Sequence, residues 1–412
     1  MRRESAAVVG LSIEKVFRYF SAKVTLNFYG KKITSASTQD GFFADWGILI
    51  SWTPPGGSKP RCGAVVLDTA HVVRKSQQFL PHESCYNPNS VVMAKNSVLT
   101  PTSPPAVSAT APNILFRLRF SPFLTQMVVI RRCNLSCGYC SEYDKSSEPV
   151  PVQVLEDRLR KLKELGTFGI SLTGGEPTLH PDLPRIIRTC RELRFYRTSM
   201  ITNGFFLNPE MIETLNQAGL QKMQISIDGV HGNETTQKVL NNLKKRLQWL
   251  RDHARFPVVI SSVIGASPPE EAEEVVSFAL KMGFSSRVLL VHDSHGQIKL
   301  NAKEIKTFQK IVDMLPRRWP ELSSYRKRLI HTGSAPFKCR AGSRYLYVDE
   351  YGRVNWCSQT RTVWSKALMD YTPNDLREQF YNYKPCHATC TLNCSRSNSY
   401  FDNWRRQPGF SS

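Results

Sequence analysis

Short apolar runs alternate with amphipathic stretches through residues 113–300, whereas residues 1–112 show little hydrophobic periodicity. The runs fall at residues 124–130, 168–172, 198–202, 223–227, 258–264 and 288–291, each bounded by turn residues, and they predict strands. Between them, residues 152–165, 208–218, 234–250 and 269–282 space their apolar side chains as helices do. Strands that alternate with helices make a parallel sheet, and right-handed crossovers curl it into a partial (β/α)6 TIM-like barrel of the α/β class. Ligands of such folds bind at the carboxyl ends of the strands. Candidate chemistry is therefore sought on that rim.

Residues 1–112 read as a low-complexity, disordered leader, or as an over-extended reading frame with a start further in. Pro and Ser are dense in Ser51-Trp52-Thr53-Pro54-Pro55-Gly56-Gly57-Ser58 and again from Pro101 to Pro112. The remainder divides into a barrel core (113–300), a helical connector (301–335) and a small Cys-rich extension (336–412). No run of 18 apolar residues occurs, so no membrane span is expected. The apolar stretch after Met1-Arg2-Arg3 is broken by Glu14 and Lys15, which argues against a secretory signal and for a cytoplasmic protein. The net charge of +21, from 55 basic and 34 acidic residues, could attract nucleic acid, an anionic membrane or an acidic substrate. The basic residues are spread, as in Lys244-Lys245-Arg246 and Arg317-Arg318, and read as a solvated surface. Aromatics do not interleave with them in an RNA-binding motif, so nucleic acid is not an expected partner.

The eleven cysteines are clustered. Three lie within residues 133–140 and five within 339–394, leaving Cys62, Cys85 and Cys190 alone. Clustered thiols without an export signal suggest metal rather than disulfides. After the first strand comes Cys133-Asn134-Leu135-Ser136-Cys137-Gly138-Tyr139-Cys140, a CxxxCxxC. Three thiolates on one loop can hold three irons of a cubane and leave the fourth open, as a catalytic cluster needs. Zinc is the alternative, although it usually takes paired CxxC units or four close ligands.

Three further motifs close later strands: Thr173-Gly174-Gly175-Glu176-Pro177, Thr202-Asn203-Gly204 and Ser226-Ile227-Asp228-Gly229. The two glycines would let backbone approach a ligand. Glu176 offers a carboxylate to a cationic amine, and Asn203, Ser226 and Asp228 offer hydrogen bonds to hydroxyl and carboxylate groups. Together with the CxxxCxxC and its aromatic Tyr139, this order of motifs resembles the radical S-adenosylmethionine (SAM) superfamily over about 180 residues. The resemblance implies that Cys133, Cys137 and Cys140 hold a 4Fe-4S cluster whose unique iron chelates SAM. It implies contacts from Gly174, Gly175 and Glu176 to the SAM amine, from Ser226 and Asn203 to its carboxylate and ribose, and from backbone near Tyr139 to adenine. The implied reaction is reductive cleavage to a 5′-deoxyadenosyl radical that abstracts hydrogen from a carbon. A low-potential donor of flavodoxin or ferredoxin type is the implied redox partner.

Cys339, Cys357, Cys386, Cys390 and Cys394 form the second group. Alternating residues 344–356 around Gly352 predict a β-hairpin, and residues 374–383 a helix. Gly352 followed at the fifth position by Cys357 resembles the SPASM/twitch extension of radical SAM enzymes. That likeness implies one auxiliary 4Fe-4S cluster, with the choice among Cys386, Cys390 and Cys394 open and zinc the alternative. Cys190 reads as a small core residue. His292 and Asp293, after the sixth strand, are candidates to position substrate or manage a proton, or else plain turn residues. The substrate class stays between peptide or protein and small-molecule or lipid precursor. An iron–sulfur protein that binds or modifies nucleic acid, or a cluster or electron carrier, is the rival reading, and neither accounts for the Gly-Gly-Glu-Pro motif.

Overall fold

The computed structural model describes residues 24–29, 47–52, 61–66, 114–291, 298, 300–315, 320–361 and 363–410, in two compact units, Met1–Pro105 and Ala106–Ser412. In the first unit β1 (Val24–Tyr29), β2 (Gly47–Trp52) and β3 (Arg61–Val66) form an antiparallel meander, with Val24 opposite Trp52 and Gly47 opposite Val66. These six-residue segments are rich in the β-branched and aromatic side chains that suit a pleated surface. The low-complexity reading of residues 1–112 did not anticipate them.

The second unit opens with α1 (Ile114–Phe120) and β4 (Leu124–Ile130) and then alternates. The order is α2 (Val152–Glu164), β5 (Gly169–Gly174), α3 (Leu183–Glu192), β6 (Arg197–Thr202), α4 (Pro209–Ala218), β7 (Lys222–Ser226), α5 (Leu240–His253), β8 (Val258–Ile264), α6 (Pro269–Lys281) and β9 (Ser285–Leu290). Strands β4 to β9 pair in parallel in that order, the partial barrel that the alternation predicted. Caps match the sequence: Asn208 accepts from Met211 N at 2.7 Å to start α4, and Gly219 ends it at φ 89°.

The two faces of the sheet differ. Met127, Val129, Ile170, Leu172, Met200, Met223, Ile225 and Ile260 are fully buried against Leu155, Leu159, Ile186, Leu215 and Leu243 of the helices. The alternate positions, among them Gln126, Thr173, Ser199, Gln224, Ser226 and Arg287, are only half-buried. Strand residues alternate faces, so the polar set lines the barrel's interior. That interior is more polar than the helix-facing side, although Val128 and Ser261 on it are fully buried.

Residues 302–332 hold α7 (Ala302–Met314) and α8 (Pro320–Thr332). Beyond them β10 (Tyr345–Val348) pairs in parallel with β4, from Tyr345 opposite Leu124 to Val348 opposite Met127. β11 (Arg353–Asn355) and β12 (Ser365–Ala367) add antiparallel strands, giving a nine-stranded sheet. The extension thus continues the barrel sheet instead of standing apart from it. Its hairpin turns at Gly352, φ 78°, where a Cβ would lie 2.8 Å from the Arg158 guanidinium. Arg158 of α2 reaches this turn and donates to Glu350 O at 3.0 Å. The chain closes with α9 (Pro373–Tyr381) and α10 (Asn393–Tyr400).

Candidate functional site

The cysteine triplet sits on the loop leaving β4, at the carboxyl rim. Cys137 is buried, and Cys133 and Cys140 are half-buried. Burial pushes the Cys133 and Cys140 thiols up, against hydrogen bonds from Leu135 N and Glu142 N, and the three thiols lie within electrostatic reach of one another. Gly138 N donates to Thr235 O at 2.9 Å, tying the loop to the segment that precedes α5.

The glycines of the second motif approach backbone. A Cβ on Gly174, which has φ 139°, would lie 2.0 Å from Ile130 O, and one on Gly175 would lie 2.2 Å from Arg131 O. The exit of β5 therefore lies flush against the exit of β4, with Gly175 N donating to Ile130 O at 2.8 Å and Glu176 N to Arg132 O at 3.0 Å. That close contact fixes where the cysteine loop begins. The Glu176 carboxylate, expected to meet a ligand amine, is also held by the protein itself. Its carboxylate is 0% exposed. Oε1 accepts from Thr178 N, Thr178 Oγ1 and Thr202 Oγ1, and Oε2 accepts from Asn203 N at 2.7 Å. Burial pushes this carboxyl up, against those donors. Glu176 is a staple between the ends of β5 and β6.

Asn203 closes the next link: its Nδ2 donates to Asn134 Oδ1 at 2.8 Å and stands 3.7 Å from Cys133 Sγ. Ser226 ends β7 on the inner face and is half-buried. Asp228 is fully buried. Its Oδ2 accepts from Tyr139 OH at 2.6 Å and Thr236 Oγ1 at 2.7 Å, while Lys238 Nζ stands 3.4 Å away and also donates to Tyr139 OH. Asp228 Oδ1 is buried with no hydrogen-bond partner. Burial raises the Tyr139 phenol, and the Lys238 ammonium is raised by Asp228 and Tyr139 in spite of its burial.

Thr235, Thr236 and Lys238 were hidden by the reading of residues 234–250 as helix. The helix starts only at Leu240, because Asn233 Oδ1 captures Thr235 N and Thr236 N, both at 2.8 Å, in an Asx turn. Asn-Glu-Thr-Thr after Gly232 was the available signal. The turn delivers Thr236 to Asp228 and sets it 3.8 Å from Cys137 Sγ.

In the extension, Cys339 and Cys357 are buried and pack with Val128, Tyr345, Tyr347 and Trp356. Cys357 follows the hairpin, Cys386 and Cys390 lie on the loop after α9, and Cys394 lies on α10. Cys339 acts electrostatically on Cys357, Cys386 and Cys390, and burial pushes the Cys357 thiol up to about 12. Cys394 packs against the cluster that holds Cys339 and Cys357, and it also feels Arg287, Arg326 and Lys222. Buried cations surround the group of four: Arg340 and Lys384 act on Cys386 or Cys339, and Arg396 on Cys390. Lys384 is 1% exposed, donates to the carbonyls of Gln379 and Asn382, and is pushed down to about 8 by burial. Arg340 has Asp402 and Lys384 has Glu378 within electrostatic reach, and thiolates that carry a cluster would add negative charge beside Lys384 and Arg396, so the donor set fits the group. Among the described residues no three His, Cys, Asp or Glu side chains are grouped to hold a single metal ion. A cubane spreads its thiolates wider than one ion does.

The two cysteine regions meet through Glu142 and Tyr347. Glu142, two residues past Cys140, accepts from Tyr347 OH on β10, and Arg361 stands 3.8 Å from the same carboxylate oxygen. Sequence reasoning named neither residue. His292 and Asp293 lie outside the described residues, as does Cys85. Cys190 is 0% exposed on α3, as a core residue should be. No described helix is long and apolar enough to cross a membrane.

Residues 127–287 match the family model of the radical SAM superfamily. A probable GTP 3′,8-cyclase of Archaeoglobus fulgidus is 32% identical over 164 residues, which cover 37% of this chain and 53% of that protein. The chain thus spans about half the length of that relative. The PqqA peptide cyclase of Methylorubrum populi is 25% identical over 293 residues, covering 68% of this chain and 71% of the cyclase. Among solved structures, Streptococcus suis SuiB bound to its precursor peptide SuiA shares the fold, with a TM-score of 0.50 at 16% identity over 65% of this chain and 66% of that one. The matched segment carries the CxxxCxxC loop, the Gly-Gly-Glu-Pro staple and the closing strand motifs on one rim, and over residues 127–287 it is a radical SAM domain.

Proposed function

We propose that the protein cleaves SAM reductively at a 4Fe-4S cluster held by Cys133, Cys137 and Cys140, and uses the resulting 5′-deoxyadenosyl radical to take hydrogen from a substrate carbon. The observation that carries this reading is the convergence of three thiols, Asn203 and Ser226 on one rim above a polar barrel interior. When bound, the cluster and SAM supply the electron transfer and the carbon radical. The chain's own residues do the rest. Gly174, Gly175 and Glu176, whose Oε2 accepts only from Asn203 N among the described residues, would meet the SAM amine. Asn203 and Ser226 would orient the carboxylate and ribose, and backbone near Tyr139 would face adenine. The Tyr139–Asp228–Lys238 network would hold the cysteine loop in place while the cluster changes charge.

Cys339, Cys357, Cys386 and Cys390 would hold a second, auxiliary 4Fe-4S cluster in a SPASM/twitch-like extension. The electrostatic reach of Cys339 to Cys357, Cys386 and Cys390 supports this assignment over Cys394. The substrate would be a peptide or protein, as the names of PqqA peptide cyclase and SuiB suggest, or a small-molecule or lipid precursor. A flavodoxin or ferredoxin would deliver electrons, in the cytoplasm. Residues 1–112 would stand outside this machinery, and His292 and Asp293 would position substrate. Reconstituted protein given dithionite should convert SAM to methionine and 5′-deoxyadenosine. Cys133, Cys137 and Cys140 replaced together by Ala should abolish the conversion, and persistent cleavage in that variant would refute the reading.

A further inference from the structure

The barrel interior carries positive charge that no described carboxylate answers. Arg287 points inward from β9, where its Nε donates to Ser261 Oγ at 3.3 Å and its Nη2 to Gln224 Oε1. Both partners are neutral. Arg326 of α8 donates Nη1 to Val288 O at 3.0 Å, on the free edge of β9, and its Nη2 is buried with no hydrogen-bond partner. The groups whose charges act on Arg287 are Cys394, Arg326 and Tyr325, and the two guanidiniums disfavour each other. Arg344, by contrast, is paired with Asp402 at 2.6 Å. A desolvated cation without a counter-charge is costly. It persists where a ligand completes it, and ionisable groups perturbed in a cleft mark such places. Gln224, Arg287 and Arg326 are only half-buried, so solvent reaches all three.

We propose that the barrel interior binds an anionic group of the substrate, a carboxylate or a phosphate, between Arg287 and Arg326. The inference rests on the radical SAM reading, which makes this interior the place where hydrogen is taken, and it narrows the substrate class. Two donors from each planar guanidinium suit an oxyanion of either kind. Held there, the anion would sit between the SAM rim and the auxiliary cysteines, and would place the rest of the substrate toward Ser226.

The test uses the full chain with its clusters reconstituted and saturated with SAM, so that the SAM carboxylate site is already filled. Inorganic pyrophosphate and succinate are titrated separately by calorimetry. Saturable binding of one of them is expected, and the identity of the one that binds separates phosphate from carboxylate. Arg287→Gln and Arg326→Gln should each weaken it by about tenfold or more, the loss of a charge-assisted hydrogen bond. Arg326→Lys should retain most of it, which a misfolded site would not. Absence of saturable binding by both anions, or wild-type affinity in both Gln variants, would overturn the proposal. So would loss of iron in Cys394→Ser, since a ligating Cys394 would make the two arginines its counter-ions. Wild-type SAM cleavage in the same preparation keeps the two questions apart: protein that cleaves SAM but binds neither anion refutes only the anion site.

Discussion

Two buried lysines mark the difference between the two cysteine regions. Lys238, beside the CxxxCxxC loop, has Asp228 and Tyr139 as partners and is held firmly charged. Lys384, beside the extension's cysteines, donates to carbonyl oxygens, has Glu378 within electrostatic reach but no ion pair among the described residues, and is pushed down to about 8 by burial. The first region balances its charge within the polypeptide, so its frame stands before any cluster arrives. The second carries surplus buried cation, and its balance waits for an anionic occupant. A catalytic cluster that must open one coordination position to SAM is served by the first design. A cluster fully ligated by protein is served by the second.

The comparison breaks most visibly at the iron count. Wild-type protein should carry about eight irons, against about four in the Cys339→Ser, Cys357→Ser double variant, if both sites are cubanes. Cys390→Ser should behave like that double variant and Cys394→Ser like wild type. Zinc in place of the missing iron would identify a zinc site instead.

A smaller effect is expected at Lys238. Lys238→Met leaves the Asp228 carboxylate buried without its cation, which typically costs about 3–5 kcal/mol. Urea unfolding of cluster-free protein should show that loss, and iron should fall at the first site while the second stays filled. Equal loss at both sites would mean that the regions do not balance charge separately.

The smallest effect tests the frame through pH. His180 accepts from Asp182 N and its Nε2 lies 2.8 Å from Val150 O, at the end of the loop that holds the triplet. Burial holds its pKa below the ordinary 6.5. A histidine depressed in the folded state is stabilising above its unfolded pKa, and that contribution is lost as pH falls below about 6.5. Unfolding free energy measured from pH 7 to 5 should therefore fall, and less so in His180→Gln.

Much of this was legible in sequence because it is local. Strands β4 and β8 have the predicted bounds, β6 starts one residue early, and β7 is shifted by one residue. CxxxCxxC announces itself because its ligands share one loop. The hairpin at Gly352 was legible for the same reason. Glu142 with Tyr347, Tyr139 with Lys238, and Arg287 with Arg326 were not. Each pairs residues far apart in the chain, and their types are ordinary until the fold brings them together. Glu176 is the opposite case: its motif was legible, but its partners Thr202 and Asn203 come from the next strand, so its role as a staple was not.

The pairing of β10 with β4 has a consequence for any attempt to isolate the SAM domain. Four residues of β4 depend on β10 for one side of their ladder. Ending the chain at residue 335 would bare that edge, with Leu124, Met127 and Val128 on it, and a bare apolar strand edge recruits other strands. The shortened protein should self-associate rather than behave as a minimal catalyst. A boundary drawn from cysteine spacing would thus cut through a sheet, not between domains.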